Sequence, residues 1–298
     1  VELWQAIVLG IVEGVTEYLP ISSTGHLILT STLMDLHTPE LKRAVNDFEI
    51  VIQGGAILAV VGLYWPRMIQ MLRGLLGKDP AGFKLFLNLV LAFIPSAALG
   101  LLLKDQIDTY LFHAGPVILS LAIGAVYMIA IDRWRKGRFS IARFHASEIE
   151  IVDVEPRHAL FIGVLQCFAL WPGMSRSMMT ITGGLLIGLR AKAAAEFSFL
   201  LGLPTLGAAC VYALYKNLKG PDGMSPAQHA DYRNLFETLG PTAVVVGVLV
   251  AAVSAAIAVK WLVGFLNKHG LAPFGWYRLV LCGVLLAMNA LGWLVVSK

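Results

Sequence analysis

Charge is what this sequence has least of. Asp, Glu, Lys and Arg make up only 14% of its 298 residues, against roughly 25% in soluble domains, and the mean hydropathy is +0.74. That excludes an ordinary soluble domain and describes a polytopic membrane protein. A net charge of +4 on such a chain excludes nucleic acid as a partner, and where Lys and Arg lie matters more than their sum. Cysteine is scarce too: Cys167, Cys210 and Cys282 sit in apolar surroundings with no disulfide or metal-ligand spacing. They read as small apolar filler. A cleavable signal pattern is also missing, since the apolar run from Leu3 leads straight into polar residues without a basic n-region or a small-residue cleavage site.

Long apolar runs are what the chain does have. Six, near 48–65, 85–103, 116–132, 195–215, 241–263 and 276–296, suit spans of about 20 residues. Two more apolar regions, 3–34 and 157–190, are each broken in the middle by proline, glycine and hydroxyl residues. Each half is too short to span, so each pair reads as a re-entrant hairpin with its tip at mid-membrane, where irregular backbone needs protein or a wet cavity around it. The two regions resemble each other. Gly10 laid on Gly163 puts Tyr18 opposite Trp171, and a one-residue gap then sets Pro20 on Pro172 and Ser23 on Ser175; Phe48 onward can be laid over Phe197 onward. The expected fold is therefore all-α integral membrane: six transmembrane helices plus two re-entrant helix hairpins, in an inverted-topology repeat. One membrane domain covers 1–298, with a first copy over 1–145 (hairpin 3–34 plus three spans) and an inverted second copy over 156–298 (hairpin 157–190 plus three spans).

Basic residues set the orientation. Fifteen fall on one side, from Arg67 to Lys84, from Arg133 to Arg157, and at Arg190, Lys192, Lys260, Lys268 and Arg278. Seven fall on the other: Lys42, Arg43, Lys104, Lys216, Lys219, Arg233 and Lys298. The richer side is expected to be cytoplasmic, so both termini and the mouth of the first hairpin face outward. Segments 133–156 and 220–234 read as a cytoplasmic and an outward loop. Arg176 belongs to neither side, because it lies inside the second hairpin, where it needs an anionic partner.

The polar residues at membrane depth form two clusters: GIVEGVTEYLPISSTGHL over 10–27 and WPGMSRS over 171–177. Glu13 and Glu17, four apart, point from one helix face. A hard divalent cation would let both stay ionised; otherwise they crosslink the hairpin, or one serves as a general base. After Pro20, the run Ser22, Ser23, Thr24, Gly25, His26 looks like a helix start, and Ser175, Arg176 and Ser177 follow Pro172 and Gly173 in the same way. Helix N-termini seat phosphate and Arg grips it bidentately, so two such starts and one guanidinium make a phosphate cage. Ser23 is the preferred nucleophile with His26 as an open choice of base, and water could attack phosphorus using the same parts. Gln53 and Thr180 are supporting candidates. Opposite Glu13 and Glu17 stand Gln166 and Leu170, and opposite Thr24 stands Arg176, an asymmetry that suits one reaction centre better than two equivalent gates.

At these residues the chain resembles the undecaprenyl-diphosphate phosphatase family, the bacitracin-resistance type of bacterial integral membrane phosphatase. EGVTEYLPISSTGH and PGMSRSMMT are similar to its two signature motifs, and FEIVIQGGAILAV and EFSFLLGLP to its flanking helices. The resemblance covers nearly the whole chain. Two departures stand out: Tyr18 where phenylalanine is common, and SRSMMT where a small residue often follows SRS. It implies hydrolysis of undecaprenyl diphosphate to the monophosphate and phosphate, recycling the lipid carrier for peptidoglycan synthesis and conferring bacitracin resistance. It further implies a divalent cation (Mg2+ or Ca2+), an inner-membrane location and a site opening to the periplasmic side. Glu13 and Glu17 fall on its acidic residues, Ser23 and His26 on its serine and histidine, and Arg176 on its phosphate-binding arginine. Expected partners are the prenyl diphosphate lipid and the bilayer, and a homodimer is entertained. The rival readings are a lipid-carrier flippase or transporter, since inverted repeats with broken helices are transporter architecture, and a scaffold whose polar hairpins lock helices together.

Overall fold

The computed structural model describes residues 1–36, 41–135, 149–220 and 232–294. Most of the two loops expected over 133–156 and 220–234 lies outside the described residues.

The described chain is helical: α1 Leu3–Thr16, α2 Ser23–Leu33, α3 Lys42–Leu63, α4 Trp65–Leu75, α5 Pro80–Leu102, the short α6 Lys104–Gln106, α7 Ala114–Arg135, α8 Pro156–Cys167, α9 Arg176–Leu186, α10 Ala191–Lys219, α11 Leu235–Leu239, α12 Pro241–His269 and α13 Ala272–Ala290. Six of them, α3, α5, α7, α10, α12 and α13, are long and apolar enough to cross a bilayer, and each coincides with one of the expected runs. The last stops at Ala290, short of the 296 read from the sequence. At 1.5 Å per residue, the 22 residues of α3 span about 33 Å, enough for a hydrocarbon core of about 30 Å. The 14 residues of α1 and 11 of α2 reach only about 21 and 17 Å.

Local chemistry sets the ends. Asp79 caps α5 by accepting from the Gly82 amide at 2.8 Å, with Pro80 as its first residue, where a missing N–H costs nothing. The start of α13 is held by Asp132 of α7, whose Oδ1 accepts from the Leu271 amide at 3.0 Å.

The short helices lie between the long ones. α1 packs most extensively on α12, and α8 on α5. Gly10 permits the first contact, since a Cβ there would stand 2.6 Å from the Gly247 carbonyl oxygen. Gly163 permits the second, with a Cβ landing 2.5 Å from the Ala92 carbonyl oxygen. The largest buried cluster, including Tyr18, Met178, Phe197 and Phe199, surrounds the turns that end α1 and precede α9. Both turns are thus held at the centre of the molecule.

Candidate active site

Each turn rises to a serine in an unusual conformation. Ser22 has φ 71° and ψ 102° and precedes α2; Ser175 has φ 75° and ψ 114° and precedes α9. Positive φ at a non-glycine residue costs of order 1–3 kcal/mol. Part of that is offset by capping, because the Ser175 hydroxyl accepts from the Met178 amide at 3.3 Å and the Ser22 hydroxyl from the Gly25 amide at 3.5 Å. The matched serines correct the expected alignment. Ser22, not Ser23, is the counterpart of Ser175, without a gap after Tyr18, so Arg176 stands opposite Ser23 rather than Thr24. The flipped N-cap residue, not the prolines, is the structurally equivalent point.

The two turns meet. Glu17 Oε2 accepts from Ser23 Oγ at 2.7 Å, and Glu17 Oε1 lies 3.4 Å from Arg176 Nη2. Both ionic side chains are almost fully buried. Arg176 Nη1 donates to the Ser198 carbonyl of α10 at 3.0 Å, its guanidinium lies over the Tyr18 ring at 5.5 Å, and its Nε has no protein partner. Ser177 Oγ crosses to the Leu19 carbonyl at 2.9 Å, tying one turn to the other. Thr180 Oγ1 bonds Ser198 Oγ at 2.6 Å and the Arg176 carbonyl at 2.9 Å, so it braces the arginine from behind.

Glu17, Ser22, Ser23, Thr24, Gln53, Ser175 and Arg176 line one cavity of about 160 Å³. It shares Ser23, Thr24 and Gln53 with a larger one of about 420 Å³, otherwise walled mainly by apolar residues such as Leu27, Ile50, Phe112 and Leu170. A small polar chamber thus continues into a mostly apolar one. The arrangement supplies a hydroxyl whose proton a carboxylate can take, a guanidinium for an anion, and the free amides of two helix N-termini.

Some predicted residues stand elsewhere. Glu13 lies behind Glu17, wholly buried, with neither carboxylate oxygen bonded to protein. The charged groups acting on it are Glu17, Glu49 and Arg176. His26 does not pair with Ser23: its Nδ1 lies 2.7 Å from the Ser22 carbonyl oxygen and its Nε2 2.7 Å from the Tyr277 hydroxyl. Gly25 packs under Leu121 of α7.

Three groups escaped the sequence reading. Arg278, counted there among the cytoplasmic bases, is fully buried. It donates to the carbonyls of Gly173 at 2.8 Å, Met174 at 3.0 Å, Ser120 at 3.2 Å and Leu121 at 3.2 Å. The signal was its place inside an expected apolar run. Without it the richer side still holds fourteen basic residues against seven. Glu49, an acid inside the first full span, accepts from Ser31 Oγ at 2.6 Å and lines the larger cavity. Nothing in the sequence marked Tyr277.

Fold and pocket together define the class: an all-α, multi-pass membrane protein whose buried hydroxyl, carboxylate and guanidinium face one cavity. The chain belongs to the bacitracin resistance protein BacA family, whose family model matches residues 6–285. It is 43% identical over 287 residues to the undecaprenyl-diphosphatase of Sorangium cellulosum (strain So ce56), covering 95% of this chain and 85% of that relative. To the undecaprenyl-diphosphatase of Dechloromonas aromatica (strain RCB) it is 42% identical over 292 residues, 98% of this chain and 96% of the relative. To that of Pseudomonas syringae pv. tomato (strain ATCC BAA-871 / DC3000) it is 41% identical over 297 residues, 98% and 97% of the two chains.

Proposed function

We propose that this protein is an undecaprenyl-diphosphate phosphatase, hydrolysing the lipid diphosphate to the monophosphate and phosphate and so returning the carrier to peptidoglycan synthesis. The observation that carries the reading is the Glu17 carboxyl between the Ser23 hydroxyl and the Arg176 guanidinium on the wall of the small polar cavity. The terminal phosphate sits against Arg176 and the amides that begin α2 and α9, with Ser22, Thr24, Ser175 and Gln53 as further donors. Glu17 takes the proton of Ser23, or of a water in its place, as the new bond to phosphorus forms and the anhydride bond to the undecaprenyl monophosphate breaks; where Ser23 attacks, a water then displaces the phosphoryl group from its oxygen as phosphate. The undecaprenyl monophosphate leaves through the larger, mainly apolar cavity. Gly25 gives Leu121 of α7 room to pack against the start of α2, since a Cβ there would stand 3.1 Å from it, and Ser177 and Thr180 hold the second turn and Arg176 in register. His26 belongs to the same machinery through Ser22.

A divalent cation, Mg2+ or Ca2+, fits the donors present. Glu13 offers two buried oxygens without a partner, and Glu17 is its charged neighbour. Among the described residues no three His, Cys, Asp or Glu side chains group as a metal site, so Glu13 and Glu17 would hold the ion with phosphate oxygens and water completing its shell. When bound it neutralises charge on the diphosphate.

The inverted repeat is part of the proposal. Supporting it are the paired serines, the equal 11-residue helices they begin, and the parallel seating of α1 on α12 and α8 on α5. A bacterial inner-membrane location with the site opening to the periplasmic side rests on the excess of basic residues on the opposite face. A cysteine at Lys104 should then be labelled from outside intact cells, and one at Lys78 only after permeabilisation. The homodimer is decided by light scattering of the detergent-solubilised protein.

The deciding experiment gives purified protein the prenyl diphosphate in detergent. Phosphate release that disappears in folded Arg176→Ala and Glu17→Ala supports hydrolysis. Release at the parent rate in both removes the site assignment, and lipid movement without phosphate release favours the flippase.

A further inference from the structure

The two turns do not close on each other tightly. Arg176 and Glu17 stand 3.4 Å apart, longer than the about 2.7–2.9 Å of a close charge-assisted hydrogen bond, which leaves guanidinium donors for an anion. Something other than their attraction holds that spacing. Two successive residues of α13 reach the two turns. About 100° apart on the helix, Arg278 takes the carbonyls of Gly173 and Met174 in the second turn, and Tyr277 takes the ring of His26 just past the first.

The contact with His26 is specific in geometry. The Tyr277 hydroxyl lies 2.7 Å from Nε2, and the two rings lie nearly parallel and edge to edge, 2° between planes and 5.5 Å between centroids. On its other side His26 Nδ1 meets the Ser22 carbonyl at 2.7 Å. A carbonyl only accepts, so Nδ1 carries a proton, and in the neutral ring Nε2 accepts from the Tyr277 hydroxyl. The chain of contacts runs from α13 through the imidazole to the carbonyl of the strained serine whose neighbour, Ser23, bonds Glu17.

We propose that Tyr277 is a positioning residue for the reaction: by fixing the ring of His26 it holds the Ser22 peptide, and so the Ser23–Glu17 pair, at the separation from Arg176 that an incoming phosphate group needs. The inference rests on the hydrolytic reading of the pocket. It assigns His26 to alignment of the first turn through Ser22 and gives α13 a part in the chemistry although it contributes no residue to the small cavity.

Tyr277→Phe keeps the ring and removes only the hydroxyl. In the full-length protein, shown by gel filtration and thermal melting to fold like the parent, the substitution should lower kcat about tenfold and leave KM within about twofold. Combined with His26→Gln it should add less than about twofold to the loss from His26→Gln alone, because a residue acting through another is not additive with it. Nitrogen-15 spectra of the histidine side chains give a readout that needs no turnover: the His26 Nε2 resonance should move in Tyr277→Phe. An unchanged kcat, or losses that multiply in the double variant, overturns the proposal. If the parent itself releases no phosphate, the hydrolytic reading fails on its own, and an unmoved Nε2 resonance then overturns the positioning contact separately.

Discussion

The first and second turns share a backbone and divide the chemistry. Both lift a serine to a φ near +70° and both begin a helix of 11 residues with that serine as its cap. What differs is the cargo. Five residues before its serine the first carries Glu17, with Glu13 a turn further back; the matching positions in the second are Leu170 and Gln166, and Gln166 donates a hydrogen bond to Ser96. One residue after its serine the first carries Ser23, the second Arg176. In the proposed reaction neither turn suffices by itself. A carboxylate buried alone would be costly, as would a guanidinium, so the two halves complete each other electrostatically where they complete each other chemically.

The strongest way to break this comparison is to remove the complement from one side. Arg176→Lys keeps the charge but gives up the planar fork, and Glu17→Gln keeps the shape but not the base. Each should lower kcat for phosphate release by about 10³-fold, the scale of losing one well-placed electrostatic or general-base group. The double variant should lose far less than the product, because each residue stands without its partner already. Steady-state kinetics on the prenyl diphosphate checks both. Independent losses that multiply fully would mean the halves do not act as one site.

Next in size is the support of the second turn. Arg278→Met removes a guanidinium that binds four buried carbonyls, of which those of Gly173 and Met174 lie in the turn, outside any helix. A destabilisation of about 2–4 kcal/mol is expected, read as a lower midpoint in thermal unfolding of the detergent-solubilised protein. The first turn has no comparable buried base, so His26→Gln should shift that midpoint much less. A smaller effect is expected from Glu49→Gln. Its amide keeps the contact with Ser31 while one of the negative charges acting on Glu13 is removed. Half-saturation by Mg2+ should therefore need about threefold to tenfold more ion, a coupling of about 1 kcal/mol, with calorimetric binding of the metal alone as the readout.

The contrast also explains what could be read from the sequence. Six spans were legible because an uninterrupted apolar run at membrane length admits one structure. The cavity-lining residues Glu17, Ser22, Ser23, Thr24, Gln53, Ser175 and Arg176 were legible because polar groups inside such runs are conspicuous. Harder to see were partners supplied by distant helices. Arg278 lies 105 residues after Gly173, and at the edge of a span it looks like any anchoring base. Tyr277, half-exposed on an apolar helix, has the profile of an interfacial aromatic, and only coordinates bring it to His26. The one-residue error in aligning the turns has a similar cause: proline is visible in a sequence, whereas a serine at positive φ is not.

The finest test asks whether the two turns are one device. At Ser22 and Ser175, substitution by alanine loses the cap and keeps the strained backbone, costing about 1 kcal/mol or somewhat more. Glycine also loses the cap, but it adopts positive φ without steric penalty, so part of the loss returns. Glycine should therefore be more stable than alanine at both positions, by about 1 kcal/mol, in thermal unfolding that scores stability apart from turnover. The differences should match to within about 0.5 kcal/mol, since the φ values agree within a few degrees and the capping geometry is shared. A glycine less stable than alanine at either site would mean that the serine is held there by its side chain alone, and the equivalence of the turns would fail.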